Sequence, residues 1–214
     1  DEVYGDKEGL PASNEQSPLC PSSPYAATKA AADLLCLSYR RTYGLPVIVT
    51  RSSNNYGPYQ FPEKFIPLLI RNALEDIEFP VYGDGKQIRD WLYVEDNCNA
   101  ILTVLERGQV GSIYNIGTSR EHTNLDVVHA ICAALAARRG LDVGKLAQRI
   151  RSVADRPGHD RRYAVDTTKI CTEIGWKPRV NFDIGLEQTV AWYLDHSQWI
   201  VHVTSGEYRE YYDS

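Results

Sequence analysis

Pro46-Val47-Ile48-Val49-Thr50 is an unbroken apolar and β-branched run that directly follows a long helical pattern. A strand without polar alternation is buried on both faces, the condition of a parallel strand with helices packed on either side. The pattern in front of it predicts a helix from Pro24 to about Tyr43. Ser22 or Ser23 can cap that helix, Pro24 suits its first turn and Gly44 stops it. Ala27, Ala30, Ala31, Leu34, Leu35 and Leu37 give it an apolar surface. Asp1 to Tyr4 reads as the end of a strand or the turn after it. Strand, helix and strand then follow one another as in a doubly wound α/β sheet.

Loops beyond the carboxyl ends of such strands carry function, and Arg51 to Gln60 occupies that place. Gly5 to Ser23, rich in Gly, Pro, Ser and Asn, is expected as a loop over the site. Further on, Ile66–Leu74, Glu95–Arg107 and Phe182–Leu194 read as helices, the last ending near His196. Asn124 can cap a helix running to about Arg138, and Asp166-Thr167-Thr168-Lys169 starts another. Phe79–Tyr82, Ser112–Ile116 and Ile150–Val153 read as strands, Trp91–Val94 is a further apolar run, and Gly83-Asp84-Gly85 is a tight turn. Leu141 to Ile150 is either a short helix or a variable insertion. The polar and aromatic tail from Ser197 to Ser214 receives no function.

A chain of 214 residues with a net charge of −5 has ample core and no basic field for nucleic acid. No apolar run is long enough to cross a membrane, and no segment has the form of a signal peptide. The five cysteines, at 20, 36, 98, 132 and 171, are scattered and odd in number. Reduced thiols and a cytoplasmic location are the expectation. His122, His129, His196 and His202 show no ligand spacing, so no metal is expected.

Tyr25 and Lys29 stand four residues apart on one face of the first helix. An ammonium beside a phenol favours the tyrosinate, and such a group can take a proton from an alcohol near neutral pH. The spacing alone is equally met by a surface Tyr and Lys on an ordinary helix. Asp1 and Glu2 are adjacent carboxylates. In unlike environments, such a pair can supply one acid and one base; as a bare dipeptide it is also a pair of solvated charges. Asn54 and Asn55 offer amide donors and acceptors, although Asn in such a loop often makes its own turn. Lys64, Arg89, Arg156 and His159 could bind a diphosphate, with Arg best suited to bidentate contact, although an isolated Arg or Lys is usually a solvated surface charge.

Taken in order, five stretches carry a resemblance. They are Asp1-Glu2-Val3-Tyr4-Gly5, Arg51-Ser52-Ser53-Asn54-Asn55-Tyr56-Gly57-Pro58, Phe61-Pro62-Glu63-Lys64, Gly83-Asp84-Gly85-Lys86-Gln87-Ile88-Arg89-Asp90-Trp91 and Asp155-Arg156-Pro157-Gly158-His159-Asp160-Arg161-Arg162-Tyr163. Together with Tyr25-x-x-x-Lys29 they resemble the sugar-nucleotide branch of the extended short-chain dehydrogenases, and within it most closely the dTDP-glucose 4,6-dehydratases. The resemblance runs from Asp1 to about Trp192.

The resemblance implies an NAD-dependent lyase that dehydrates dTDP-glucose to dTDP-4-keto-6-deoxyglucose for deoxysugar biosynthesis, with a homodimer as the working form. It assigns general acid to Asp1, general base to Glu2, and hydroxyl deprotonation to Tyr25 with Lys29 beside it. Tyr25, Lys29 and Asn55 would contact NAD. Asn54, Lys64, Phe65, Pro80, Val81, Tyr82, Arg89, Asn124 and the Asp155-Arg156-Pro157-Gly158-His159 loop would line the nucleotide-sugar pocket. The alternatives are an epimerase or decarboxylase of the same superfamily, which has no use for an adjacent acid–base pair, and an inactive nucleotide-sugar-binding fragment.

The chain has no Met and no Gly-x-Gly-x-x-Gly behind a strand, the fingerprint of a dinucleotide-binding first unit. The expectation is therefore the C-terminal part of a longer enzyme. Residues 1–60 would belong to the NAD-binding Rossmann domain. Residues 61–196 would be mainly a smaller mixed α/β nucleotide-sugar-binding region with some returning Rossmann elements, and 197–214 a tail.

Overall fold

The computed structural model describes residues 1–205. A 3₁₀ turn at Glu2–Tyr4 opens the chain; the expected strand end is this turn. A loop leads to α1 (Pro24–Tyr43), and β1 (Val49–Ser52) and β2 (Asn54–Tyr56) follow it. Then come α2 (Phe65–Leu74), β3 (Phe79–Tyr82), β4 (Ile88–Tyr93) and α3 (Val94–Arg107). After β5 (Ile113–Ile116) and β6 (Glu121–Thr123) the chain forms α4 (Asn124–Arg139), α5 (Val143–Ala147) and β7 (Ile150–Val153). It ends in α6 (Thr168–Ile174), α7 (Phe182–Asp195) and α8 (Ser197–Ser205). Of the expected tail, 197–205 is thus helical and 206–214 lie outside the described residues. Within 141–150 the chain forms the short helix α5.

The architecture is α/β with parallel pairing. β1 pairs with β5, β2 with β4, and β3 with β7, all parallel; β6 joins β4 antiparallel. β4 separates two cores. Trp91 and Tyr93 face the larger one with Tyr56, Ile66, Leu69, Val128, Ile131 and Leu186. Leu92 faces the smaller one with Val104, Tyr114, Ile116, Ile170 and Trp176. Successive side chains of a strand point to opposite faces, so β4 contributes to both.

α1 begins and ends where its sequence signals stand. The Ser23 hydroxyl accepts from the Ala26 N–H at 3.1 Å, Pro24 is the first helical residue, and Gly44 ends the helix in the left-handed conformation. Its packing departs from expectation. The buried positions are Ala26 and Ala30, against Val3 and Tyr4, whereas Leu34 and Leu35 are each 59% exposed. Small side chains let α1 approach the opening turn closely; the leucines lie off that line of contact.

Two further expectations are corrected. Asn54 and Asn55 lie in β2 instead of a loop, because β4 offers them a parallel partner: Asn54 stands beside Trp91 and Asn55 beside Leu92. The Gly5–Ser23 segment does not line the cleft described below. The Asp6 carboxylate accepts from the backbone N–H groups of Arg161 and Arg162, and the Arg162 guanidinium donates to the carbonyls of Lys7 and Leu10. These bonds hold the segment on the 161–165 stretch.

Gly5 closes the opening turn at φ 68°, and a Cβ there would stand 2.1 Å from the Cys20 carbonyl oxygen. Gly5→Ala therefore combines left-handed strain with a backbone overlap, and is expected to cost about 2 kcal/mol or more. A urea or thermal unfolding series on parent and variant measures this.

Candidate active site

Five elements meet at one cleft. The opening turn brings Asp1, Glu2 and Val3; α1 brings Tyr25, Lys29 and Asp33; β1 and β2 bring Thr50 through Asn55, and Asn97 comes from α3. The cavity they line has a volume of about 440 Å³. Six of the residues singled out in the sequence thus stand together: Asp1, Glu2, Tyr25, Lys29, Asn54 and Asn55. Tyr25 is 61% exposed, and Lys29 makes no ion pair among the described residues. One Asp1 carboxylate oxygen, the Ser53 hydroxyl and the side-chain oxygens of Asn54 and Asn55 are buried without a protein hydrogen-bond partner. Buried polar atoms are costly unless paired, so this cleft is built for a polar ligand.

Its frame is a buried charge network that the sequence did not disclose. Arg51, 6% exposed, donates through Nε to the Asp33 carboxylate at 2.7 Å and through Nη1 to the Tyr4 hydroxyl at 2.7 Å. That hydroxyl donates to the Asn115 side-chain oxygen at 2.8 Å. Burial works against the Arg51 charge, but the bonds to Tyr4 and Asp33 outweigh it and hold the guanidinium above its ordinary value. Burial pushes the Tyr4 phenol up, against the pull of Arg51. Asp33 could have been found by extending the helical spacing, since it lies four residues beyond Lys29 and eight beyond Tyr25.

The other predicted residues form a second group. In the 155–159 loop, Asp155 Oδ1 stands 2.6 Å from His159 Nδ1, and Arg156 Nη2 stands 3.0 Å from His159 Nε2. Asp155 Oδ2 accepts from the Gln87 amide at 2.8 Å. Nδ1 thus donates to Asp155 while Nε2 accepts from Arg156, which fits the neutral ring. The His159 bond holds the Asp155 carboxyl below its ordinary range. Arg156 also lies over the Tyr82 ring, 5.0 Å from its centroid. Gly158 packs on the Ser22 carbonyl, where an added Cβ would stand at 3.0 Å. The loop therefore abuts the start of α1.

Arg89 stands between the groups. It is 5% exposed, donates to the Ile88, Asp160 and Arg161 carbonyls, and covers the Tyr163 ring at 4.1 Å. Burial lowers its pKa; Tyr163, Glu2 and Asp160 oppose that shift. Tyr163, the ring beneath Arg89, is visible in the sequence only as the end of the 155–163 motif. The remaining predicted residues are spread along β3 and the helix starts. Val81 is 2% exposed in the larger core, Pro80 is half-buried and Tyr82 39% exposed. Phe65 stacks on Trp91 with centroids 6.2 Å apart, Lys64 pairs with Glu63 at 3.0 Å, and Asn124 is buried at the start of α4. Pro157 is exposed in its loop.

The profile of the GDP-mannose 4,6 dehydratase family matches residues 1–189. The chain is 52% identical over 210 residues to a dTDP-glucose 4,6-dehydratase of Xanthomonas campestris pv. campestris, covering 98% of this chain and 60% of that protein. DesIV, a dTDP-glucose 4,6-dehydratase of Streptomyces venezuelae solved with NAD bound, superposes with a TM-score of 0.84 at 46% identity, over 92% of this chain and 59% of that one. A UDP-glucuronic acid 4-epimerase of Bacillus cereus, solved with UDP-glucuronic acid and NAD, gives 0.80 at 28% identity, over 91% and 59%. The chain thus spans about 60% of the length of the curated relatives it matches.

Asp33→Ala should leave the Arg51 charge buried without its carboxylate, at a cost of about 3 kcal/mol. Asp33→Asn, which keeps an acceptor, should cost less. Denaturant titration of both variants tests the order; equal and small losses would mean that solvent replaces the carboxylate.

Proposed function

The chain belongs to the GDP-mannose 4,6 dehydratase family, and on that premise we propose that its protein dehydrates dTDP-glucose to dTDP-4-keto-6-deoxyglucose with NAD as cofactor. The observation that carries this reading is the shared cavity of Asp1, Glu2, Tyr25 and Lys29. The similarity to dTDP-glucose 4,6-dehydratases supports the choice of substrate. The epimerase shares the fold, but epimerisation removes no water and has no task for adjacent carboxylates.

The buried, unpartnered amide oxygens of Asn54 and Asn55 and the exposed Tyr25 and Lys29 fit a nicotinamide ribose and carboxamide, so NAD would be held by Tyr25, Lys29 and Asn55. When bound, it takes up hydride from C4 and returns it to C6. Tyr25 receives the O4 proton as C4 becomes a ketone, and Lys29 places its ammonium in the same cavity. The ketone acidifies C5, whose proton Glu2 removes. Asp1 protonates the departing C6 hydroxyl, which leaves as water, and C5 is reprotonated as C6 is reduced. Asn54 would contact the sugar.

The diphosphate would lie against Lys64, Arg89, Arg156 and His159, with Asp155, Pro157 and Gly158 shaping that loop. Phe65, Pro80, Val81, Tyr82 and Asn124 would complete the nucleotide-sugar pocket. In this reading, 1–60 belongs to the cofactor domain, 61–196 is mainly the nucleotide-sugar region and 197–214 is a tail. Among the described residues no helix is long and apolar enough to cross a membrane, and all five cysteines are free. A cytoplasmic homodimer is the assembly proposed.

In the full-length protein, Tyr25→Phe should bind dTDP-glucose normally yet lose about 10²- to 10⁴-fold in kcat. Near-normal kcat would remove Tyr25 from the mechanism. Glu2→Gln should still oxidise C4 but stop solvent deuterium entering at C5, because an amide is no useful base. Asp1→Asn should keep C5 exchange while loss of the C6 hydroxyl slows. Normal C5 exchange in Glu2→Gln would reverse the two carboxylate assignments.

A further inference from the structure

β2 ends in a tight loop, 57–60, that returns to it. The Gln60 side-chain amide donates to the Asn55 backbone carbonyl at 2.9 Å. Asn55 lines the cleft, so the loop fixes a strand of the site from behind. The loop is itself fixed from the far end of the chain. The Tyr193 hydroxyl reaches the Gln60 carbonyl at 2.5 Å and the Gly57 carbonyl at 3.4 Å. The Tyr193 ring is fully buried on α7, so its hydroxyl has few alternatives.

Tyr59 adopts φ 64°. For a bulky side chain that left-handed conformation is strained and persists only where the surroundings impose it. The Tyr59 side chain, 67% exposed, has aromatic neighbours. The Tyr59 ring lies 4.5 Å from that of Trp192 and 5.7 Å from that of Trp199, perpendicular to the latter. Trp192 and Trp199 contact each other at 5.2 Å, and Trp192 stacks on His196 at 4.5 Å. Offset and edge-on aromatic contacts of this kind stabilise beyond their buried area. Trp199 belongs to α8, and Trp192, Tyr193 and Trp199 all lie beyond the residues that match the family profile.

We infer that Tyr59, Trp192, Tyr193 and Trp199 form a positioning clamp through which α8 sets the geometry of the Asn54–Asn55 strand. The rings hold Tyr59 in its strained turn, Tyr193 holds the Gln60 and Gly57 carbonyls, and Gln60 holds Asn55. None of the four residues lines the cleft, so they act through Gln60 and Asn55. The effect on turnover rests on the activity proposed above; the mechanical coupling does not.

The test uses full-length protein carrying Tyr193→Phe, Trp199→Phe or Trp199→Ala. Backbone hydrogen exchange is followed in the 54–60 segment, with β3 and β7 as internal reference. Tyr193→Phe keeps the ring and loses one oxygen, so it decides the matter alone if Trp199→Ala does not fold. Exchange in 54–60 should rise about tenfold in Tyr193→Phe and Trp199→Ala, less in Trp199→Phe, with the reference unchanged. With dTDP-glucose, kcat should fall about tenfold while KM stays within about twofold, since the misplaced group is a positioned one. Parent-like exchange in a folded Tyr193→Phe overturns the clamp, and so does raised exchange with unchanged kcat. If the parent does not turn over dTDP-glucose, the proposed activity falls, while the exchange result still judges the mechanical coupling.

Discussion

A single buried guanidinium holds the walls of the cleft in register. Arg51 reaches from the end of β1 to Asp33 on α1 and to Tyr4 in the opening turn. Tyr25 and Lys29 lie on the same helix as Asp33, and Asp1 and Glu2 lie in the same turn as Tyr4. Tyr25 and Lys29 on one side of the cleft and Asp1 and Glu2 on the other thus share one reference point. An ion pair in the interior contributes little net stability, because desolvation offsets its attraction, but losing one partner is severe. Here its value is geometric: helix, strand and turn cannot shift independently while Arg51 is paired.

The second group of residues has a similar logic in a wetter setting. Gln87, Asp155, His159 and Arg156 form a chain of hydrogen bonds that ends on a guanidinium above the Tyr82 ring. Each link narrows the orientations open to the next. The contact of Gly158 with the Ser22 carbonyl sets this chain beside the start of α1.

Much of this was legible in the sequence, for reasons that differ by residue. The bounds of α1 are local chemistry, a capping hydroxyl, a proline and a glycine, and local chemistry survives folding. β3 and β7 read correctly as short strands. Asn54 and Asn55 did not read as a strand, because Asn is a poor strand former and only the neighbouring β4 makes it one. Tyr25 and Lys29 were visible through helical spacing, whereas Asp1 and Glu2 needed the resemblance. The Arg51–Tyr4 and Tyr4–Asn115 bonds join residues 47 and 111 positions apart, and no window of sequence contains them. Tyr59 gave no warning either, since a left-handed turn is signalled by Gly or Asn, and the rings it packs on lie more than a hundred residues away.

β4 has a consequence of its own. Arg89, Asp90, Trp91 and Leu92 alternate between two buried faces, with the Arg89 guanidinium on three carbonyls and the Asp90 carboxylate on the backbone N–H groups of Thr118 and Ser119. A slip of one residue would turn each side chain to the opposite face. A slip in one direction would bring the guanidinium to the N–H donors, and a slip in the other would bring the carboxylate to the carbonyl oxygens. Mispairing at the centre of the molecule is therefore rejected by charge as well as by shape, and the adjacent opposite charges act as an error check on strand alignment during folding.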